Sequence, residues 1–261
     1  MNIVVLLLTL MVGIFILIGY IFADKFKDNK RFTDFSISLA FGVIIALIVL
    51  ELIPEVHGSL KELLDSRRAI ILIIVLILIG IYILKILDSF IPHHVHEDHH
   101  DHKHKNDDCY KEHLKHVGII SSAAIIIHNI IEGMSLYIVS SNSIISGLLM
   151  CIGIGLHNIP LGLVVGTTLS NSNYNKKDSL NIIILVSIST FIGGLIMFIL
   201  GSVPAIVEAI LLGITLGMLI YISLFELLHQ IYHMKNTKIS RIGICFGIIL
   251  LIICLLIKHH I

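Results

Sequence analysis

Two matching stretches of this sequence place imidazoles, amides and a carboxylate inside long apolar runs. The stretch "HNIIEG" holds His128, Asn129 and Glu132, and "HNIPLG", 29 residues further along, holds His157 and Asn158. An ionisable group deep in a bilayer costs about 2.5–3.5 kcal/mol, so such groups usually face a partner or a pathway. Two imidazoles and a carboxylate suit Zn²⁺ and its first-row neighbours and leave a coordination position open. The two imidazoles and the carboxylate are therefore the candidate metal ligands.

The spacing of the two stretches predicts that they meet. His128 and Glu132 are four residues apart and share one face of a helix. A short polar turn near 141–143 joins the two apolar runs, and His128 and His157 lie at similar distances on either side of Asn142. At about 1.5 Å per residue, each histidine is about 21 Å from the turn. An antiparallel hairpin would bring both imidazoles and the carboxylate together near the membrane midplane. The alternative is a hydrogen bond between histidine and glutamate that only ties two helices together.

Two other apolar runs carry further candidate pathway residues, which are Glu51, Glu55, His57, Glu226 and His229. In each of these runs a glycine stands nine residues before a Glu-Leu pair, Gly42 before Glu51 and Gly217 before Glu226. The two runs cross the membrane in opposite directions in the predicted topology, as the inverted repeats of a transporter do. The sequence thus favours a mouth at the second run and an exit at the seventh. The alternative is that these groups reach lipid headgroups.

The composition is that of an integral membrane protein. Hydrophobic residues make up 56% of the 261 residues and charged residues 14%, against about 25% charged in soluble domains. Since a spanning helix needs about 20 apolar residues, we predict one all-α membrane domain over 1–261. Helices 1–3 and 6–8 are candidate inverted repeats around a hairpin of helices 4 and 5. The eight predicted spans are 3–22, 36–56, 69–91, 117–139, 144–169, 180–200, 204–230 and 240–257.

The distribution of basic residues predicts the orientation. Of the 18 lysines and arginines, 13 fall in loops on the side of the first loop, four on the opposite side, and Lys85 inside a span. The positive-inside rule therefore places both termini outside, and we expect the cell membrane as the location. No lysine or arginine precedes the first apolar run, and several follow it. A cleaved signal peptide has the opposite order, so we expect the first run to be a retained helix. The four cysteines form no Cys-x-x-Cys pair, so no disulfide framework is expected.

A loop rich in histidine breaks the apolar pattern on the predicted cytoplasmic side. We place this loop at 92–116, and its stretch "PHHVHEDHHDHKHKNDDC" interleaves imidazoles with carboxylates. Such a segment has too little apolar surface to fold alone, and its groups bind divalent metals. Irregular spacing favours a metal buffer over a structural site, and the alternative is a solvated linker of biased composition. The candidate buffering residues are His93, His94, His96, His99, His100, His102 and His104.

With these motifs in place, the sequence resembles the ZIP family of divalent-metal transporters over most of its length. The resemblance rests on the paired His-Asn stretches and on three further segments, which are "FGVIIALIVLELIPEV", "LDSFIPHHVHEDHH" and "GMLIYISLFELL". The resemblance implies metal passage towards the cytoplasm and a central metal centre. It assigns His128, Asn129 and Glu132 to the ligands of the fourth helix. It assigns His157 and Asn158 to those of the fifth.

The sequence departs from that family pattern at three places. The family commonly has glutamate where Leu161 stands and proline where Ile131 stands, and some members add a glutamate on the sixth helix, which has no acid over 187–200. With Glu132 as the one carboxylate, we expect a single bound metal at the centre rather than two.

The leading functional hypothesis is therefore a divalent-metal transporter, with zinc as the first candidate and Fe²⁺, Mn²⁺ and Cd²⁺ as others. We expect no resident cofactor, no enzymatic activity and no nucleic-acid partner. The expected partners are the metal ions and the lipid bilayer, with a homodimer as a candidate assembly. Two alternatives stay open, a metal-binding relative that senses without transporting and an intramembrane hydrolase that uses a metal-bound water. The apolar runs contain no His-Glu-x-x-His motif for the hydrolase.

Overall fold

Eight long helices make up the computed structural model, which describes residues 2–90, 104–172, 174–234 and 236–259. All eight are long and apolar enough to cross a membrane, which confirms the predicted all-α class and the number of spans. We number them in chain order: α1 (Asn2–Lys25), α2 (Lys30–Leu63), α3 (Ser66–Phe90), α4 (His104–Asn142), α5 (Ile144–Ser170), α6 (Lys176–Leu200), α7 (Ala205–Tyr232) and α8 (Thr237–His259).

Helix α4 begins earlier than the sequence predicts. Residues 104–116, which we placed in the histidine-rich loop, form the first turns of α4, so that part of the loop prediction is wrong. This stretch contains no proline or glycine before Gly118, and extending an existing helix costs far less than starting a new one. Of the seven candidate buffering histidines, His104 is the first residue of α4. The other six lie outside the described residues.

Helices α2 and α7 each contain a π-helical segment at the Glu-Leu pair that the sequence matched. Ile48–Leu52 is π-helical in α2 and includes Glu51, and Ile222–Leu227 is π-helical in α7 and includes Glu226. Single π turns inside α-helices are rare and often occur at functional sites. Each π segment also packs against the other helix of the pair. This reciprocal contact is what two inverted repeats produce when they face each other.

The eight helices pack as two four-helix groups. In one group α1 packs on α5 and α6 packs on α4, and in the other α2 packs on α8 and α3 packs on α7. Glycines allow these close approaches, since a Cβ at Gly133 would overlap the carbonyl of Thr190 and a Cβ at Gly162 would overlap that of Ile16. If helices 1–3 are exchanged with helices 6–8, and α4 with α5, the α1–α5 contact becomes the α6–α4 contact. The same exchange turns the α2–α8 contact into the α7–α3 contact. The packing therefore follows the predicted repeat around the α4–α5 hairpin.

Helices α2, α4 and α5 form the interior of the molecule. About two thirds or more of their apolar windows are buried, whereas α3 and α8 bury 22% and 28% of theirs. The outward faces of α3 and α8 carry exposed isoleucine and leucine side chains, which suits contact with lipid tails. The fourth and fifth helices, which carry the paired motifs, therefore lie where a polar site is shielded from lipid.

Candidate metal centre

The α4–α5 hairpin brings His128, Glu132 and His157 together as the sequence predicts. Nε2 of His157 lies 3.0 Å from Oε1 of Glu132, and Nε2 of His128 lies 3.4 Å from the same oxygen. The two imidazoles are 2% and 3% exposed and the glutamate side chain 13%. Among the described residues, this is the one group of three or more potential His, Cys, Asp or Glu ligands close enough to share an ion.

The spacing of these atoms fits a tetrahedral metal ion after a small adjustment. One ligand atom from each residue lies within 4.8 Å of the other two. Zinc bonds of about 2.0–2.2 Å in a tetrahedron place neighbouring ligand atoms about 3.4 Å apart. Both glutamate–histidine distances are already close to that value, so an ion would need mainly to draw the two imidazoles together. Such movements lie within the reach of rotations about the side-chain bonds.

Two buried asparagines directly follow the two histidines in the chain and carry polar atoms without a hydrogen-bond partner among the described residues. Nδ2 of Asn129 donates a hydrogen bond to the Val186 carbonyl on α6 at 3.3 Å. That bond fixes the amide and leaves its Oδ1 without a hydrogen-bond partner among the described residues. Asn158 is fully buried, and neither its amide oxygen nor its amide nitrogen has a hydrogen-bond partner there. A buried unsatisfied amide costs about 1–3 kcal/mol, and the assignment of these two side chains to the shell of an ion stays a prediction.

Apolar side chains occupy the positions where the sequence departs from the family pattern. Leu161 lies one turn after His157 and is 0% exposed, and Ile131 is also buried. Glu132 is consequently the one carboxylate in the group that contains the two imidazoles. Its single negative charge would balance half of the charge of a divalent cation.

A narrow cavity extends from this group towards the side of the membrane on which the Asn142–Ser143 turn lies. We call this side the turn face. The walls of the cavity include His128, Glu132 and Ser135 from α4, together with the candidate pathway residues Glu51 and Glu55 from α2. It has about 20 Å³ of room for the centre of a water molecule, which is space for roughly one water. Both acids of the second run therefore lie on the same cavity as the candidate ligands.

The other candidate pathway residues lie elsewhere. His57 is half-buried on α2 and does not line this cavity. Glu226 is buried in the π segment of α7, while His229 is exposed and its ring lies 4.7 Å from that of His233. The structure thus joins the second-run acids to the centre and leaves the seventh-run residues apart from the cavity. Their assignment to an exit stays a prediction.

The structure also reveals two polar residues that sequence reasoning missed. The hydroxyl of Ser135 donates a hydrogen bond to Oε1 of Glu208, in the first turn of α7, at 3.1 Å. A glutamate at the start of a helix is usually explained by the helix dipole, so position alone does not mark Glu208. One sequence signal was available, since Ser135 follows Glu132 by three residues and shares its helix face.

Comparison with known proteins identifies the family of this chain. The family model for ZIP zinc transporters matches residues 1–117 and 96–255. The relatives include the zinc transporters ZupT of Streptococcus mutans serotype c, 26% identical over 96% of both chains, and of Akkermansia muciniphila, 27% identical over 97% of both. The ZupT of Campylobacter jejuni is 28% identical, over 97% of this chain and 95% of its own. The chain belongs to the ZIP zinc transporter family and is a multi-pass integral membrane transporter of divalent metal ions.

Proposed function

We propose that this protein moves Zn²⁺ across the membrane towards the cytoplasm through a centre formed by His128, Glu132 and His157. Asn129, Asn158 or water complete the shell of the ion. The observation that carries the proposal is the convergence of the two buried imidazoles on one carboxylate oxygen of Glu132, at 3.0 and 3.4 Å. Burying these groups is costly unless something pairs with them. A divalent cation would use all three.

The direction of transport rests on the distribution of charge. The basic loops lie on the side opposite the turn face, which the positive-inside rule makes cytoplasmic. Metal would then enter at the turn face, where Glu51 and Glu55 line the cavity, and leave on the side of Glu226 and His229. We propose the cell membrane as the location, with both termini outside, and a homodimer as the assembly to test.

Neither alternative function is favoured by an observation at the site. The relatives are named as transporters, so we set the intramembrane hydrolase aside. A sensor that binds without transporting would hold metal at the same residues. The cavity has room for roughly one water, so what supports transport over sensing is that the relatives are named as zinc transporters.

Uptake by the purified protein in proteoliposomes tests the proposal. We expect saturable entry of ⁶⁵Zn²⁺ into vesicles that contain the protein, with Fe²⁺, Mn²⁺ and Cd²⁺ as competitors that report the preference. Protein-free vesicles and His128→Ala are the controls, and both should show only leakage. Wild-type uptake by His128→Ala would place the pathway elsewhere. Metal binding without uptake by the wild-type protein would favour the sensor.

The histidine-rich loop should modulate transport without being essential to it. Deleting 93–104 removes the candidate buffering histidines and leaves the α4–α5 centre intact. We expect zinc uptake to stay measurable in proteoliposomes while the number of weakly bound zinc ions per protein falls. A same-length replacement by glycine and serine controls for loop length. Complete loss of uptake by a deletion variant that still inserts would contradict this role.

A further inference from the structure

Glu208 stands at the turn face, above the cavity that leads to the metal centre. It lies in the first turn of α7 and is half-buried. Leu212, one turn further along α7, lines the cavity together with His128 and Glu132. Since residues four apart share a helix face, Glu208 lies on the same face as Leu212 and one turn nearer the membrane surface.

A hydrogen bond orients the Glu208 carboxylate towards the cavity. The donor is the Ser135 hydroxyl, at 3.1 Å, and Ser135 is itself a cavity-lining residue. The bond uses Oε1 of the glutamate, and a carboxylate oxygen has lone pairs left for a further partner. Because the serine is three residues from Glu132 on α4, the bond connects the surface carboxylate to the face that holds the central one.

Two of the candidate metal ligands, His128 and Glu132, line the same cavity. His128 is 2% exposed and lines the cavity, and its Nε2 lies 3.4 Å from Oε1 of Glu132 without forming a hydrogen bond among the described residues. This buried nitrogen belongs to a residue other than Glu208, and a divalent cation held there would give it a bond.

We infer that Glu208, oriented by Ser135, is the capture residue of the transporter, which first contacts a divalent cation at the turn face and passes it to Glu55 and Glu51. The inference rests on the function proposed above and on its direction. A carboxylate at the mouth of a narrow, low-dielectric cavity raises the local concentration of cations. It acts on the encounter, so it governs the rate at low metal concentration and leaves the saturated rate unchanged.

The alternative is that the Ser135–Glu208 bond only ties α4 to α7. The variant Glu208→Gln distinguishes cation capture from a purely structural bond. The amide oxygen of glutamine still accepts the serine hydrogen bond, but the side chain carries no charge. Glu62→Gln is the matched control. Glu62 is an exposed acid near the end of α2 at the same membrane face, so its loss changes the surface charge equally and leaves the cavity untouched.

Zinc uptake into proteoliposomes at varied external zinc measures the effect. For Glu208→Gln we expect the half-saturating zinc concentration to rise about tenfold, the lower end of what local charge does to capture of a charged ligand. Its maximal rate and thermal unfolding midpoint should match the wild type, and Glu62→Gln should behave as the wild type throughout. Ser135→Ala should raise the half-saturating concentration by a smaller factor.

Two results would overturn the inference. One is an unchanged half-saturating concentration in Glu208→Gln. The other is a reduced maximal rate together with a lowered unfolding midpoint, which a structural tie predicts. His128→Ala, measured in parallel, separates this inference from the proposed function. If His128→Ala is inactive and Glu208→Gln matches the wild type, the central site stands and the capture role fails.

Discussion

Replacing Glu132 by glutamine should abolish zinc binding at the α4–α5 centre and, with it, saturable uptake. The carboxylate is the one negative charge within the group of His128, Glu132 and His157, and both imidazoles approach the same oxygen. Loss of even an outer-shell partner weakens metal sites about 10–100-fold. Loss of the charged ligand itself should therefore weaken zinc binding by about 100-fold or more.

Competition with a chromophoric chelator in detergent measures that affinity without relying on transport. Thr215→Val is the control, because it removes a buried polar group elsewhere in the protein without changing the size of the side chain. Among the described residues, Thr215 hydrogen-bonds only to a backbone carbonyl of its own helix. This variant should bind zinc as the wild type does. An affinity of Glu132→Gln within about threefold of the wild type would remove this residue from the ligand set.

Replacing Leu161 by glutamate should add a second metal to the centre. A carboxylate there would follow His157 by four residues, as Glu132 follows His128, and Leu161 is fully buried in the wild type. Two divalent ions beside a single carboxylate repel each other strongly at low dielectric constant, whereas a second carboxylate offsets much of that repulsion. We expect one tightly bound zinc per wild-type chain and two per Leu161→Glu chain, at some cost in insertion.

Metal analysis of protein equilibrated with a zinc buffer counts the bound ions. Leu161→Gln matches the new side chain in length without its charge and should keep one tightly bound zinc. Two ions within about 4 Å of each other, the spacing of two-metal sites, in the wild-type protein would contradict the expectation of a single metal.

The hairpin site was predictable because its determinants are local. His128 and Glu132 share a face through helix geometry alone, and the turn at 141–143 sets the depth of His157 against them. The apolar runs also fixed the number of helices, since their lengths match the membrane thickness. For these features, residue spacing carries the information that the three-dimensional arrangement uses.

The surroundings of the site were less predictable because they depend on which helices become neighbours. The Gly-x₈-Glu-Leu match indicated a repeat, but the π segments at Glu51 and Glu226 depend on packing against the partner helix. Glu208 reaches Ser135 across 73 positions in the chain, and no local pattern links the two. The start of α4 at His104 was missed because charge and histidine content outweighed the helix propensity of the segment.

A metal ion in transit should be held by His128, Glu132 and His157. An anomalous difference map recorded at the zinc absorption edge from protein crystallised with zinc tests it most directly. We predict a single strong peak at the α4–α5 centre, about 2.0–2.2 Å from a nitrogen of each imidazole and from a Glu132 oxygen. A map from transport-competent protein with zinc bound elsewhere in the membrane region and no peak among these three side chains would contradict the claim.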